Sequence, residues 1–210
     1  MYVSCGVPQG SVLGPTLFTP FTNDLPSSIK SGDTFMYADD TTVFCTGSSQ
    51  GVACNLLNCA LEELFTWCIN NHLTPHPGKC EVMLLSKARL IGPLPAIYIG
   101  KFIIEYEATA RLLGVILDDN LSWIPHLKEV INNFANKLSL LKKSKFLPSQ
   151  VCESFYVRVI QPAITYALPV WGGVNQTELF KTLERQHCRA TRITFGFPSD
   201  VPTVDVLATV

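Results

Sequence analysis

At 210 residues, 47% of them apolar and 16% charged, the chain has enough apolar side chains for one good core or two small ones, which excludes a disordered polypeptide. Its formal charge of −1 excludes a uniformly basic nucleic-acid binder, yet residues 1–125 hold 6 Lys/Arg against 11 Asp/Glu while residues 126–210 hold 10 against 6. An acidic half followed by a basic half suits a metal-binding body with a phosphate-binding appendage, or two ordinary solvated surfaces.

The opening Met1-Tyr2-Val3-Ser4-Cys5 lacks a basic region followed by an apolar one. No stretch is expected to reach the length of a membrane span: the most apolar run, Val159–Trp171, is too short and is interrupted by Pro162 and Pro169. An intracellular chain without a membrane partner is therefore expected. Eight cysteines at irregular spacing, mostly within apolar stretches, read as buried thiols rather than a disulfide frame.

In chain order, Gly6-Val7-Pro8-Gln9-Gly10-Ser11-Val12-Leu13-Gly14-Pro15 specifies a tight loop in which glycine permits close approach of a ligand, and Gln9 is its one polar side chain of any length. Ser11 reads as the N-cap of a helix to about Leu25, interrupted by Pro20, whose missing N–H costs about 3 kcal/mol. Phe35–Phe44 then places two β-prone runs around Asp39-Asp40, which predicts strand, tight turn and strand with the carboxylates at the tip. Adjacent like charges favour a divalent cation as partner. A plain surface turn is the alternative.

Gly51–Leu73 has apolar residues at helical spacing, and predicts a packing helix. Cys68, His72, His76 and Cys80 recur every four residues, but Pro75, Pro77 and Gly78 break the helix that a zinc site would need. Val82–Leu85 reads as a strand, 96–105 as a hairpin turning at Gly100-Lys101, and Arg111–Asp119 as one further strand whose Asp118-Asp119 makes a turn. From Ile124 the pattern is helical: His126 to about Phe146, ending in Lys142, Lys143 and Lys145; Ser149–Tyr166 with a kink at Pro162; and Thr177 to about Phe195. Lys181, Arg185, Arg189 and Arg192 fall on one face of the last helix, which suits a nucleic-acid backbone or a solvated bundle face.

Gly6–Pro15, Asn23-Asp24-Leu25-Pro26 and Tyr37-Ala38-Asp39-Asp40, in that order, together resemble the reverse transcriptases of non-LTR (LINE-type) retrotransposons. The resemblance implies an α+β fold: part of a right-hand polymerase palm, an antiparallel sheet with packing helices, over 1–123. An all-helical thumb over 124–197 follows, with 198–210 left unassigned. It implies RNA template, DNA primer and dNTP as partners and a two-metal Mg²⁺ site. Asp39 would bind metal with Asp40 beside it, and Gln9 and Gly10 would touch nucleotide or template. Lys79 would help protonate the departing pyrophosphate, and Lys142, Lys143, Lys181, Arg185 and Arg189 would hold the nucleic-acid backbone. Leu-Gly-Val at 113–115, with the acidic residues and Leu121-Ser122-Trp123 after it, corresponds to a primer-gripping hairpin that ends the palm.

The family's first catalytic aspartate lies upstream of the glycine loop, and none of the five residues before Gly6 is acidic. A polymerase that needs an N-terminal segment, inactive as this chain alone, is the expectation; a non-catalytic relic or RNA-binding module is the alternative. Nuclear action is implied by the resemblance alone.

Overall fold

Alternating side chains and a turn that only a left-handed residue can close make 33–44 a hairpin. Strand β1 (Asp33–Tyr37) pairs antiparallel with β2 (Asp40–Phe44), Tyr37 opposite Asp40, so the loop is Ala38-Asp39, with Ala38 at φ 53°. Its inner face packs Met36 and Val43; its outer face leaves Phe35 and Tyr37 exposed, at 62% and 68%. In this computed structural model residues 10–86, 92–143, 146–173, 177–198 and 201 are described.

Two compact units divide the chain, Met1–Glu107 and Ala108–Val210. The first is organised by α3 (Gln50–Asn70), capped by the Ser49 side chain, which accepts from Val52 N–H. Gln50–Asn70 is long and apolar enough to cross a membrane by length and composition, which corrects the expectation that no stretch reaches that length. One face of it nevertheless serves a protein core: Ala60, Trp67 and Cys68 pack with Leu25 and Ile29, and Cys54 and Leu61 with Val82, Ile97, Ile99 and Ile104. Polar side chains along α3 tie down its neighbours. Glu63 accepts from the Lys30 and Ser31 amides at 2.6 and 3.1 Å and from the Ser31 hydroxyl at 2.9 Å. Burial works against its charge, but these donors outweigh burial and hold the carboxyl below its usual range.

Strands β3 (Ile97–Ile99) and β4 (Phe102–Ile104) form the expected hairpin, turning at Gly100-Lys101. Asn58 closes one open edge of this hairpin as a neighbouring strand would, donating to Ala96 C=O at 3.0 Å and accepting from Tyr98 N–H at 2.9 Å. Gly100 has φ +57°, and a Cβ there would meet the Phe65 ring at 2.6–3.0 Å. Gly100→Ala is therefore expected to destabilise the first unit by about 1–3 kcal/mol, read as a lowered urea midpoint; an unchanged midpoint would contradict the contact.

Four expectations change. Ser11 is not the cap: α1 (Gly14–Thr22) has Leu13 at the N-cap without a side-chain bond, and a separate short helix, α2 (Leu25–Ser28), follows. Pro20 stays inside α1, whose burial is limited to Thr22. Val82–Leu85 forms only a bridge from Val82 to Tyr106 among the described residues, where no neighbouring strand pairs with the run. Arg111–Asp119 is a hairpin, not a strand: β5 (Thr109–Leu112) pairs antiparallel with β6 (Val115–Asp118) across Leu113-Gly114, at φ 47° and 84°. Fold class is thus α+β, with three separate two-stranded antiparallel pairings among the described residues.

In the second unit α4 (Ile124–Lys143) and α8 (Thr177–Phe195) pack against each other. Between them in sequence run α5 (Ser149–Phe155), a π-helical turn over Tyr156–Ile160, α6 (Pro162–Thr165) and α7 (Leu168–Trp171). The widened turn comes just before Pro162, where the sequence predicts a kink, and α6 opens on that proline, a position where its missing N–H costs nothing. Leu127, Phe134, Leu138, Leu141, Tyr156, Ile160 and Trp171 make the core.

Candidate functional site

Asp39 occupies the second position of the β1–β2 loop and Asp40 opens β2, so the hairpin presents both carboxylates at its tip and both are exposed. A left-handed alanine costs about 1–2 kcal/mol, and the strand pairing on either side holds it there. Neither carboxylate takes part in the ion pairs found among the described residues, Arg111–Glu129 and Lys181–Glu178. Carboxylate oxygens are the donors a hard divalent cation takes. Among the described residues no three His, Cys, Asp or Glu group into a metal site, so the pair is right in kind and too few in number for two ions.

Gly10, at φ 83°, has open space where a Cβ would stand, while Gln9 lies outside the described residues. Lys79 closes the single 3₁₀ turn Pro77–Lys79 and is exposed. Of the four-residue Cys/His series, Cys68 is buried in α3, His72 leaves the helix at φ 56°, and the Cys80 thiol donates to the His76 carbonyl. Of the described cysteines, Cys54, Cys68, Cys152 and Cys188 are buried, Cys45 and Cys80 half-buried and Cys59 exposed.

The second unit brings the basic candidates together. Lys181, Arg185, Arg189 and Arg192 line one face of α8 around a cavity of about 340 Å³, with Glu184 and Cys188 between them. Lys142 joins Arg189 and Arg192 around a larger cavity of about 980 Å³ near the end of α4. Lys143 is exposed at the last residue of α4, and Lys145 lies outside the described residues. Arg192 is committed elsewhere, donating to Cys188 Sγ at 3.4 Å and to the Pro198 and Val201 carbonyls at 2.8 and 2.5 Å. Lys181, Arg185 and Arg189 are the exposed cations of the stripe, Lys181 within its ion pair to Glu178 at 2.9 Å.

Sequence reasoning missed how the β5–β6 hairpin is held. Asp118 accepts from the Ser122 and Trp123 amides at 3.0 and 2.9 Å; burial opposes its charge, but these bonds outweigh burial and keep its carboxyl below the usual range. His126 Nδ1 accepts from Ile116 N–H at 3.3 Å, while its edge faces Trp171 with ring centroids 5.5 Å apart. Burial lowers the pKa of His126. Tyr166 donates to the Leu113 carbonyl at 2.5 Å. Asp118 stands where the sequence places a turn, and an aspartate in a turn commonly bonds nearby amides, but nothing local announces its reach to Ser122 and Trp123 or the contacts of His126 and Tyr166.

Residues 1–147 match the family described as "Reverse transcriptase (RNA-dependent DNA polymerase)". Two similar curated proteins are RNA-directed DNA polymerases from the mobile element jockey: that of Drosophila funebris is 28% identical over 86% of this chain and 21% of its own length. Its counterpart in Drosophila melanogaster is 28% identical over 97% of this chain and 23% of its own. A probable RNA-directed DNA polymerase from transposon BS of Drosophila melanogaster is 28% identical over 80% of this chain and 20% of its own length. The chain thus spans about a fifth of the length of these relatives. No solved structure matches it.

Proposed function

The chain belongs to the reverse transcriptase family, of the non-LTR retrotransposon kind, and from that premise we propose that it supplies the acidic hairpin and the nucleic-acid-holding helices of an RNA-directed DNA polymerase. The observation that carries this reading is the placement of Asp39 and Asp40 at the exposed tip of a two-residue hairpin inside the matched region. In it, residues to about 123 act as part of the palm and the following helices as the thumb. Divalent metal is general in this family, and bound Mg²⁺ would supply activation of the primer 3′-hydroxyl and charge stabilisation at the departing pyrophosphate. Asp39 would offer it a carboxylate, Asp40 would stand beside that group, and a further carboxylate from outside the described residues would complete the set. Lys79, exposed on its turn, carries a proton that suits a leaving pyrophosphate. Gly10 leaves room for nucleotide or template, beside Gln9. The β5–β6 hairpin would hold the primer, and Lys142, Lys143, Lys181, Arg185 and Arg189 the backbone of template and primer.

Primer extension on an RNA template with Mg²⁺ and dNTP, using the purified chain with Asp39→Ala as control, tests the reading. Binding of template-primer without extension is expected. Extension that vanishes in Asp39→Ala would overturn the claim that a carboxylate is missing, and absence of binding would overturn the nucleic-acid assignment. Replacing Lys181, Arg185 and Arg189 together by glutamate should weaken binding at least about tenfold and flatten its salt dependence by up to about three charges' worth. An unchanged salt slope would return the stripe to a solvated face.

A further inference from the structure

The β5–β6 hairpin is fixed at its base and at its tip by different side chains. Leu113 and Gly114 are consecutive left-handed residues, a conformation that leucine rarely adopts. Tyr166, 53 positions away, donates its hydroxyl to the Leu113 carbonyl at 2.5 Å, and its ring stands 3.4–3.8 Å from where a Gly114 Cβ would lie. Tyr166 is itself held from behind. Its carbonyl accepts from Nε1 of the wholly buried Trp171 at 2.9 Å, and the next residue, Ala167, is also left-handed at φ 51°. At the base, Asp118 and His126 take the amides of Ser122, Trp123 and Ile116. Strain in an apolar turn, gripped by a tyrosine that is itself more than half exposed at 56%, is an arrangement that a fold does not need for its core.

We propose that Tyr166 is a positioning residue: through its hydroxyl it sets the Leu113-Gly114 turn, and so fixes where the 3′ end of the primer rests. This inference depends on the reading above that the hairpin holds primer. Leu112 and Leu113 leave apolar surface at the tip, at 38% and 44% exposure, against which a terminal sugar and base can pack. Without the tyrosine hydroxyl the turn remains a two-residue loop but loses its reference to the helices.

The test uses the 210-residue chain and a DNA primer with 4-thiothymidine at its 3′ end, annealed to an RNA template and irradiated. In the wild type the adduct should map to residues 108–123. Tyr166→Phe, which keeps the ring and removes the hydroxyl, should lower that adduct about fivefold, the equivalent of one net hydrogen bond, and Tm by no more than about 4–8 °C, while template-primer affinity stays near wild type. An undiminished adduct in Tyr166→Phe, with the wild type mapping to 108–123, overturns the role of Tyr166 and leaves the hairpin reading standing. A wild-type adduct elsewhere overturns the hairpin reading itself. Should Tyr166→Phe fail to fold, Gly114→Ala, which strains the turn at φ 84° and puts a Cβ 3.4 Å from the Tyr166 ring while leaving both leucines in place, must show the same selective loss of adduct for the proposal to stand.

Discussion

Phe134→Ala is expected to lower the stability of the second unit by about 3–5 kcal/mol, a large part of the 5–15 kcal/mol typical of a domain. Phe134 is wholly buried in the middle of α4, and its ring meets His187 of α8 edge-on with centroids 6.4 Å apart. Truncation therefore opens a cavity at the contact that joins the two longest helices of the unit. Asn136→Ala, at an exposed position two residues on, should stay within about 0.5 kcal/mol. Urea unfolding followed by hydrogen exchange in Ile124–Lys143 checks both, and a loss under about 1 kcal/mol in Phe134→Ala would mean that the site can collapse around the missing ring. The basic face of α8 is placed by the same packing, so template-primer affinity should fall along with stability, whereas in the glutamate triple variant affinity falls alone.

Local chemistry made much of this fold legible. The Phe35–Phe44 hairpin, the packing helix before Asn71, the turn at Gly100 and the three helical runs after Ile124 each rest on side-chain period or on a glycine where φ is positive. Arg111–Asp119 failed for a physical reason: an unbroken apolar run gives no sign that Leu113 will turn left-handed, and what holds that turn comes from Tyr166, far along the chain. Val82–Leu85 has strand composition, but composition cannot supply a partner. Ser11 had the right residue type for a cap, yet the helix begins three residues later, with the Ser11 hydroxyl buried and unpartnered.

For the candidate site, adjacency in sequence did the work. Asp39 and Asp40 had to share one hairpin tip, and four cations at helical spacing had to share one face. Which cations stay available was not legible, because the commitment of Arg192 to the Pro198 and Val201 carbonyls depends on the course of the chain after the helix. Function class came from the order of short motifs, not from any one of them: a glycine loop, an Asn-Asp turn and an acidic hairpin are each commonplace alone.

Acidification below about pH 6.5 is expected to loosen the second unit before it reaches Asp118 or Glu129. His126 and His187 both have pKa values lowered by burial; Glu129 pulls the first back up while Arg111 lowers it further, and Glu184 pulls the second back up. His126 accepts from Ile116 N–H, and its buried Nε2 has no partner, so a proton on Nδ1 would break the bond that it makes. His187 stacks on Tyr156 with ring planes 9° apart and shares a hydrogen bond with its hydroxyl. Each group is depressed in the fold relative to the unfolded chain. The unfolded chain therefore takes up protons first as the pH falls through 6.5, and stability drops by up to about 1.4 kcal/mol per pH unit for each histidine until the folded pKa is passed. Asp118 and Glu129, also depressed, contribute stability that is fully present above the usual carboxylate range and lost only at lower pH, so the two phases separate. Urea midpoints between pH 7.5 and 5 measure the first phase. His126→Gln combined with His187→Gln should flatten it, at some cost in stability at neutral pH, and a slope that survives both replacements would place the titrating group elsewhere.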